Sequence, residues 1–124
     1  MTSREIGNIG EESVCRFLLK NGYDILERNF TVRGGEIDII AKKNDVIAFV
    51  EVKTRSENPL QTGEEAITDA KKRHLIFAAQ QYFDRLDKPL NCRFDVAVAE
   101  VHNKKIKHLK YYVSAFDVSN NSNL

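Results

Sequence analysis

Apolar residues recur along this chain with two periods. Ile6, Ile9, Val14, Phe17 and Leu18 follow a helical spacing, and Thr2-x-x-Glu5 ahead of them has the form of a capping box. The helix is expected to stop at Asn21-Gly22, where glycine enters the left-handed region freely. "YDILERNFTV" then reads as a strand, and "GGEIDIIAKKNDVIAFVEVKTR", Gly34 to Arg55, as two more joined by a polar turn. Pro59 and Gly63 mark "RSENPLQTG" as a loop. Thr62-x-x-Glu65 is a second capping box, predicting a long helix to about Leu86. "CRFDVAVAEV", a turn at Asn103-Lys104 and "IKHLKYYV" supply the last two strands. The order α-β-β-β-α-β-β predicts one α/β domain over residues 1–118, a mixed five-stranded sheet flanked by helices. Residues 119–124 have nothing to bury and read as a disordered tail.

Four charges interrupt the apolar pattern of the central strands: Glu36, Asp38, Glu51 and Lys53. Strict alternation groups Glu36, Asp38 and Ile40 on one face, with Ile37, Ile39 and Ala41 on the other. Phe49, Glu51 and Lys53 likewise share a face opposite Val50 and Val52. A two-residue turn at Asn44-Asp45 pairs Lys43 with Val46. That register sets Ile40 opposite Phe49, Asp38 opposite Glu51 and Glu36 opposite Lys53. Directly opposed side chains have Cβ atoms about 4.5–5.5 Å apart, and like charges so placed destabilise a sheet. Two readings follow. The charges form a salt-bridged solvent face, or a hard divalent cation, Mg²⁺ or Mn²⁺, sits between Asp38 and Glu51 with a backbone carbonyl. Ile40 and Phe49 continue the same face and weigh against the first.

The chain has 124 residues and a net charge of +1, so any affinity for nucleic acid must come from local clusters. Such clusters exist at Lys42-Lys43, at Lys71-Lys72-Arg73 and between Lys104 and Lys110. Two lone cysteines, Cys15 and Cys92, fit a reducing compartment and read as packing residues. No apolar leader or membrane-length run is present, and a cytoplasmic location without membrane contact is the expectation. His74, His102 and His108 have no metal-ligand spacing. No nucleophile–histidine arrangement offers a rival centre, and Gly34-Gly35 precedes a strand rather than a helix.

Asp38, followed after a short hairpin by Glu51-Val52-Lys53, resembles the D…(D/E)-x-K signature of the restriction-endonuclease-like nucleases. Gly10-Glu11, Gly35-Glu36-Ile37-Asp38, "FVEVKTR", "GEEAITDAKKRHL" and "RFDV" together resemble the small YraN-like family of bacterial proteins. That family is related by fold to the archaeal Holliday-junction resolvases. The likeness runs from Gly7 to Phe116, with the motifs in the family's order. It implies a restriction-endonuclease-like fold and a metal-dependent endonuclease acting on DNA, including branched repair or recombination intermediates. The alternative is a nucleic-acid-binding module of the same fold with little or no catalysis. A homodimer is implied as well, and a protein partner supplying specificity is compatible.

Neighbouring residues extend the candidate site. Glu11 borders the apolar stripe of the first helix whereas Glu12 points toward solvent, and the Gly-Glu motif selects the same residue. Gly10, within the stripe, permits close approach to the sheet. In the second helix Ile67, Leu75, Ala78 and Tyr82 make an inward stripe with Lys71 at its centre. Lys71 either snorkels to the edge or reaches toward the carboxylates or a phosphate; the family motif favours the second. Arg33, Arg55 and Arg93 each adjoin a motif block and are candidates for gripping phosphate oxygens. The expected metal ligands are Asp38, Glu51, the Val52 carbonyl and Glu11, with Glu36 or Glu11 acting through water. Lys53 is expected to orient the attacking water and to stay protonated, because neighbouring carboxylates favour its charged form.

Overall fold

The computed structural model describes residues 2–56, 67–88 and 90–116. Helix α1 (Ser3–Lys20) leads into strands β1 (Asp24–Val32), β2 (Gly35–Lys43) and β3 (Val46–Arg55). Helix α2 (Asp69–Phe83) and strands β4 (Asn91–His102) and β5 (Lys105–Phe116) complete the chain. The strands lie in sequence order in one sheet, antiparallel except for the parallel β3–β4 pair. Parallel neighbours need a crossover, and α2 is part of it. The α/β class, the mixed five-stranded sheet and the element order all match the expectation.

Local chemistry explains the helix ends. The Thr2 hydroxyl accepts the Glu5 N–H at 3.1 Å while the Glu5 carboxylate reaches back to the Thr2 N–H, so the first capping box forms. The helix ends at Asn21, followed by Gly22 at φ 86°. For α2 the cap is Thr68, whose hydroxyl accepts the Lys71 N–H at 3.2 Å. The described helix therefore starts at Asp69 and ends at Phe83, short of Leu86. Thr62 and Glu65 lie outside the described residues, as does the segment 119–124.

The helices cover opposite faces. Val14, Cys15 and Leu18 of α1 pack on Ile39, Ala41, Ala48, Val50 and Ala97. Leu75, Ile76, Ala78 and Ala79 of α2 pack on Phe30, Ile37, Ile40, Ile47, Phe49 and Phe94. Fully burying a side chain such as Leu18 contributes about 1.5–3 kcal/mol. Cys92, expected to be a packing residue, is exposed, whereas Cys15 is buried. Two glycines set the spacing: a Cβ on Gly10 would collide with the Thr54 side chain, and one on Gly35 with the His74 carbonyl of α2. The first was expected; the second was not.

Strict alternation fails at Asp38. Ile37 and Ile40 both lie on the α2 face, while Ile39 lies on the α1 face. Strand β1 changes face at the same level. Arg28 reaches α1, Phe30 packs toward α2, and Asn29 between them has φ 53°. The pairs Arg28↔Ile39 and Phe30↔Ile37 stay in register through this kink. Asparagine tolerates positive φ better than most residues, which suits it to the bend. The expected grouping of Glu36 with Asp38 and Ile40 is therefore corrected. Gly35 and Ile37 face α2, so Glu36 between them turns to the other side, away from the face that carries Lys53.

Candidate metal-binding and nucleic-acid site

The β2–β3 hairpin pairs Lys43 with Val46 and Ile40 with Phe49, as its turn predicts, and the ladder ends at Ile39↔Val50. The next contact is made by a side chain: the Asp38 carboxylate accepts the Val52 N–H at 2.8 Å. In a strand the N–H and C=O of one residue point to the same neighbour. The Val52 carbonyl thus faces the same opening. Glu51, 8% exposed, lies on the α2 face with Phe49 and is held close to Asp38.

The electrostatics follow from this crowding. Burial, and then the Glu51 charge, push the Asp38 carboxyl up to about 7, against the Val52 N–H, which favours the charged form. Lys71, in the first turn of α2, places Nζ 3.5 Å from Glu51 Oε1. It reaches the carboxylates rather than snorkelling away. Contact with the Lys53 amine, then Glu51, raises the Lys71 pKa despite its desolvation. Lys53 moves the other way: burial and the adjacent Lys71 outweigh Glu51 and lower it. The expectation that carboxylates would dominate at Lys53 is corrected, because burial and then the adjacent Lys71 outweigh the Glu51 charge.

Glu11 turns inward and Glu12 outward, with side chains 13% and 47% exposed. Arg28, which sequence reasoning passed over, binds both, at 3.6 Å from Glu11 and 3.0 Å from Glu12. Burial and the Asp38 charge raise the Glu11 pKa, while Arg28 and the Asn29 side chain partly offset this. Glu11 thus approaches the site from the α1 side with Arg28 as its counterion. Glu36 is exposed, yet its charge is felt at Asp38. A cleft of about 600 Å³ opens beside these groups, lined by Ser3, Ile6, Gly7, Val52, Lys53, Thr54, Ser56 and Lys71.

The arginines separate. Arg55 is half-buried beside Lys53, and its Nε has no hydrogen-bond partner among the described residues. Arg33 stays exposed in the β1–β2 turn. Arg93 is engaged elsewhere. Its Nε donates to both oxygens of Asp95, at 3.0 and 3.1 Å, and its terminal nitrogen to the Tyr23 hydroxyl. Asp95 is fully buried and also accepts from the Tyr111 hydroxyl at 2.6 Å and the Ser114 N–H at 2.9 Å. This network braces the α1 face of the sheet: Arg93 lies opposite Ala48 and Asp95 opposite Val50, on the other side from Glu51. The expectation of Arg93 as a phosphate contact is corrected accordingly. A carboxylate inside the apolar run from Phe94 to Ala99 was the available signal for Asp95.

Among the described residues no three His, Cys, Asp or Glu side chains converge as a ready metal cage. The donors that do converge are the Asp38 and Glu51 carboxylates and the Val52 carbonyl, all hard oxygens suited to Mg²⁺ or Mn²⁺. Burial and, after it, the Glu51 charge raise the Asp38 pKa, and a cation between the two carboxylates would offset both. In that respect the donor set fits. No described helix is long and apolar enough to cross a membrane.

Fold and site together define an α/β protein whose mixed sheet carries an acid–lysine cluster where one ladder ends. A family model described as "Uncharacterised protein family UPF0102" matches residues 10–99. The chain belongs to this family, the one its motifs resemble. It is 49% identical over 102 residues to a UPF0102 protein of Caldicellulosiruptor saccharolyticus, covering 82% of this chain and 86% of that one. It is 46% identical over 99 residues to one of Symbiobacterium thermophilum, covering 79% and 84%. A third, from Clostridium perfringens, is 41% identical over 119 residues, covering 94% and 97%.

Proposed function

We propose that this protein is a divalent-metal-dependent endonuclease of the restriction-endonuclease-like class, hydrolysing phosphodiester bonds in DNA. The observation that carries this reading is the Asp38 carboxylate, fixed by the Val52 N–H against Glu51 where the ladder stops. Asp38, Glu51 and the Val52 carbonyl would hold Mg²⁺ or Mn²⁺, with Glu11 or Glu36 joining through water. A bound divalent cation lowers the pKa of a ligated water and offsets charge on the scissile phosphate. Lys53, with its pKa lowered, is suited to orient that water and exchange a proton with it. Lys71 and Arg55 donate to phosphate oxygens at the mouth of the cleft. Arg33, at the exposed turn, contacts the backbone further out. Cytoplasmic DNA with branched or irregular structure, a homodimeric assembly and a partner protein that adds specificity all belong to this proposal.

One observation favours a second reading, a nucleic-acid-binding module without turnover. The Lys71 ammonium already lies 3.5 Å from Glu51 and supplies positive charge where a cation would sit. The deciding experiment is a cleavage panel of linear, flapped and four-way DNA, and of RNA, with Mg²⁺, Mn²⁺ or EDTA. Metal-dependent cutting that disappears in Asp38→Ala and Lys53→Ala supports the nuclease. Binding without cutting supports the module, and cutting that survives Asp38→Ala unchanged rules out the site.

A further inference from the structure

The candidate site does not end at Lys53. Strands β3 and β4 pair without interruption from Val46↔Asn91 to Arg55↔Glu100. Strands β4 and β5 are regular from Val96↔Tyr112 to Glu100↔His108. Directly opposite residues share a face, so three rows can be read straight across the sheet. They are Glu51–Val96–Tyr112, Lys53–Val98–Lys110 and Arg55–Glu100–His108. Ala97, Leu109 and Tyr111 pack toward α1, which puts these rows on the α2 face. Helix α2 packs mainly over β1, β2 and β3. Its Lys72, over the Phe116 ring at 5.4 Å, marks where that cover reaches β5. Beyond it Lys110 is exposed and Tyr112 is half-buried.

We propose that the exposed Lys110–Tyr112 edge of this face carries a single-stranded arm of nucleic acid away from the cleavage position, with Lys110 gripping a phosphate and Tyr112 stacking a base. The inference rests on the nuclease reading and names its substrate more closely. Strands lie about 4.8 Å apart, so the backbones of Lys53 and Lys110 are separated by roughly 10 Å. One nucleic-acid strand covers that distance in about three nucleotides at 3.4 Å of rise each. A lysine and an aromatic two residues apart on one strand are the elements of a single-strand platform, a charged track beside a stacking surface. Glu100, facing His108 at 4.0 Å, offsets charge in the next row, which leaves Lys110 as the anchor.

The test is fluorescence anisotropy in EDTA, with a labelled blunt duplex and the same duplex bearing a single-stranded extension. The wild type is expected to bind the extended probe at least about 5-fold more tightly, since a stacked base contributes about 1–3 kcal/mol. Lys110→Ala should lower the log–log salt slope on that probe by about 0.7, and Lys110→Arg should restore it. Lys105→Ala, an exposed lysine at the hairpin tip, serves as control. Tyr112→Leu should abolish the preference for the extension and Tyr112→Phe should keep it, with circular dichroism confirming the fold. If the wild type binds DNA but Lys110→Ala and Tyr112→Leu behave like it, this inference is overturned and the nuclease reading stands. If the wild type binds neither probe, this inference is overturned, and the nuclease reading is decided separately by the cleavage panel with Mg²⁺ or Mn²⁺.

Discussion

Replacing Asp38 by asparagine removes a charge but keeps an oxygen that can accept the Val52 N–H. In the unfolded chain this carboxyl titrates near 3.8, and in the folded protein near about 7. Between those values the folded state holds more protons, so stability falls as pH rises. Below about pH 4 both states are protonated and the carboxyl costs nothing. Above about pH 7 the full penalty applies. Three units correspond to about 4 kcal/mol at 1.36 kcal/mol each. Relaxation around the Asp38–Glu51 pair reduces this, so Asp38→Asn should stabilise the metal-free protein by about 2–4 kcal/mol at pH 8. Urea unfolding in EDTA from about pH 4 to pH 8 measures it. The gap between variant and wild type should open across pH 4–7 and then level off. A variant that unfolds at the wild-type urea concentration throughout, or is less stable at pH 8, refutes the reasoning.

Three other outcomes follow from the same geometry. Gly35→Ala should destabilise the protein by about 2–3 kcal/mol in denaturant melts, because the new methyl meets the His74 carbonyl, a backbone atom that cannot swing aside. Asp95→Asn leaves Arg93 without its counterion beneath α1. With Asp95 fully buried, a loss of about 2–4 kcal/mol is expected by calorimetry; a loss under 0.5 kcal/mol would contradict a bracing role. Lys71→Gln removes the neighbouring ammonium and should raise the Lys53 pKa toward its usual value, read from the side-chain ¹⁵N resonance. An unchanged or lower value would show that burial alone sets it.

How much of this was legible beforehand depends on the range of each signal. The hairpin register from Lys43↔Val46 follows from a turn and a period of two, both local, and it brought Asp38 to Glu51. Lys71 stood out because a lysine interrupts an apolar stripe. The kink at Asn29 and Asp38 was not legible, since alternation assumes a regular backbone. Only an asparagine in mid-strand hinted at positive φ. The Arg93–Asp95–Tyr23–Tyr111 network joins residues up to 88 positions apart, and no spacing rule connects them. The direction of the Lys53 shift needed the position of Lys71, which sequence places near the site but not against one particular amine.

Calorimetric titration of Mn²⁺ into metal-free protein bears most directly on whether Asp38 and Glu51 form one cation site. The wild type should bind one ion per chain at neutral pH, and Asp38→Asn and Glu51→Gln should each weaken binding by at least about 10-fold, consistent with loss of a hard oxygen ligand. A wild type that takes up no Mn²⁺, or variants that bind it as tightly, would contradict the site.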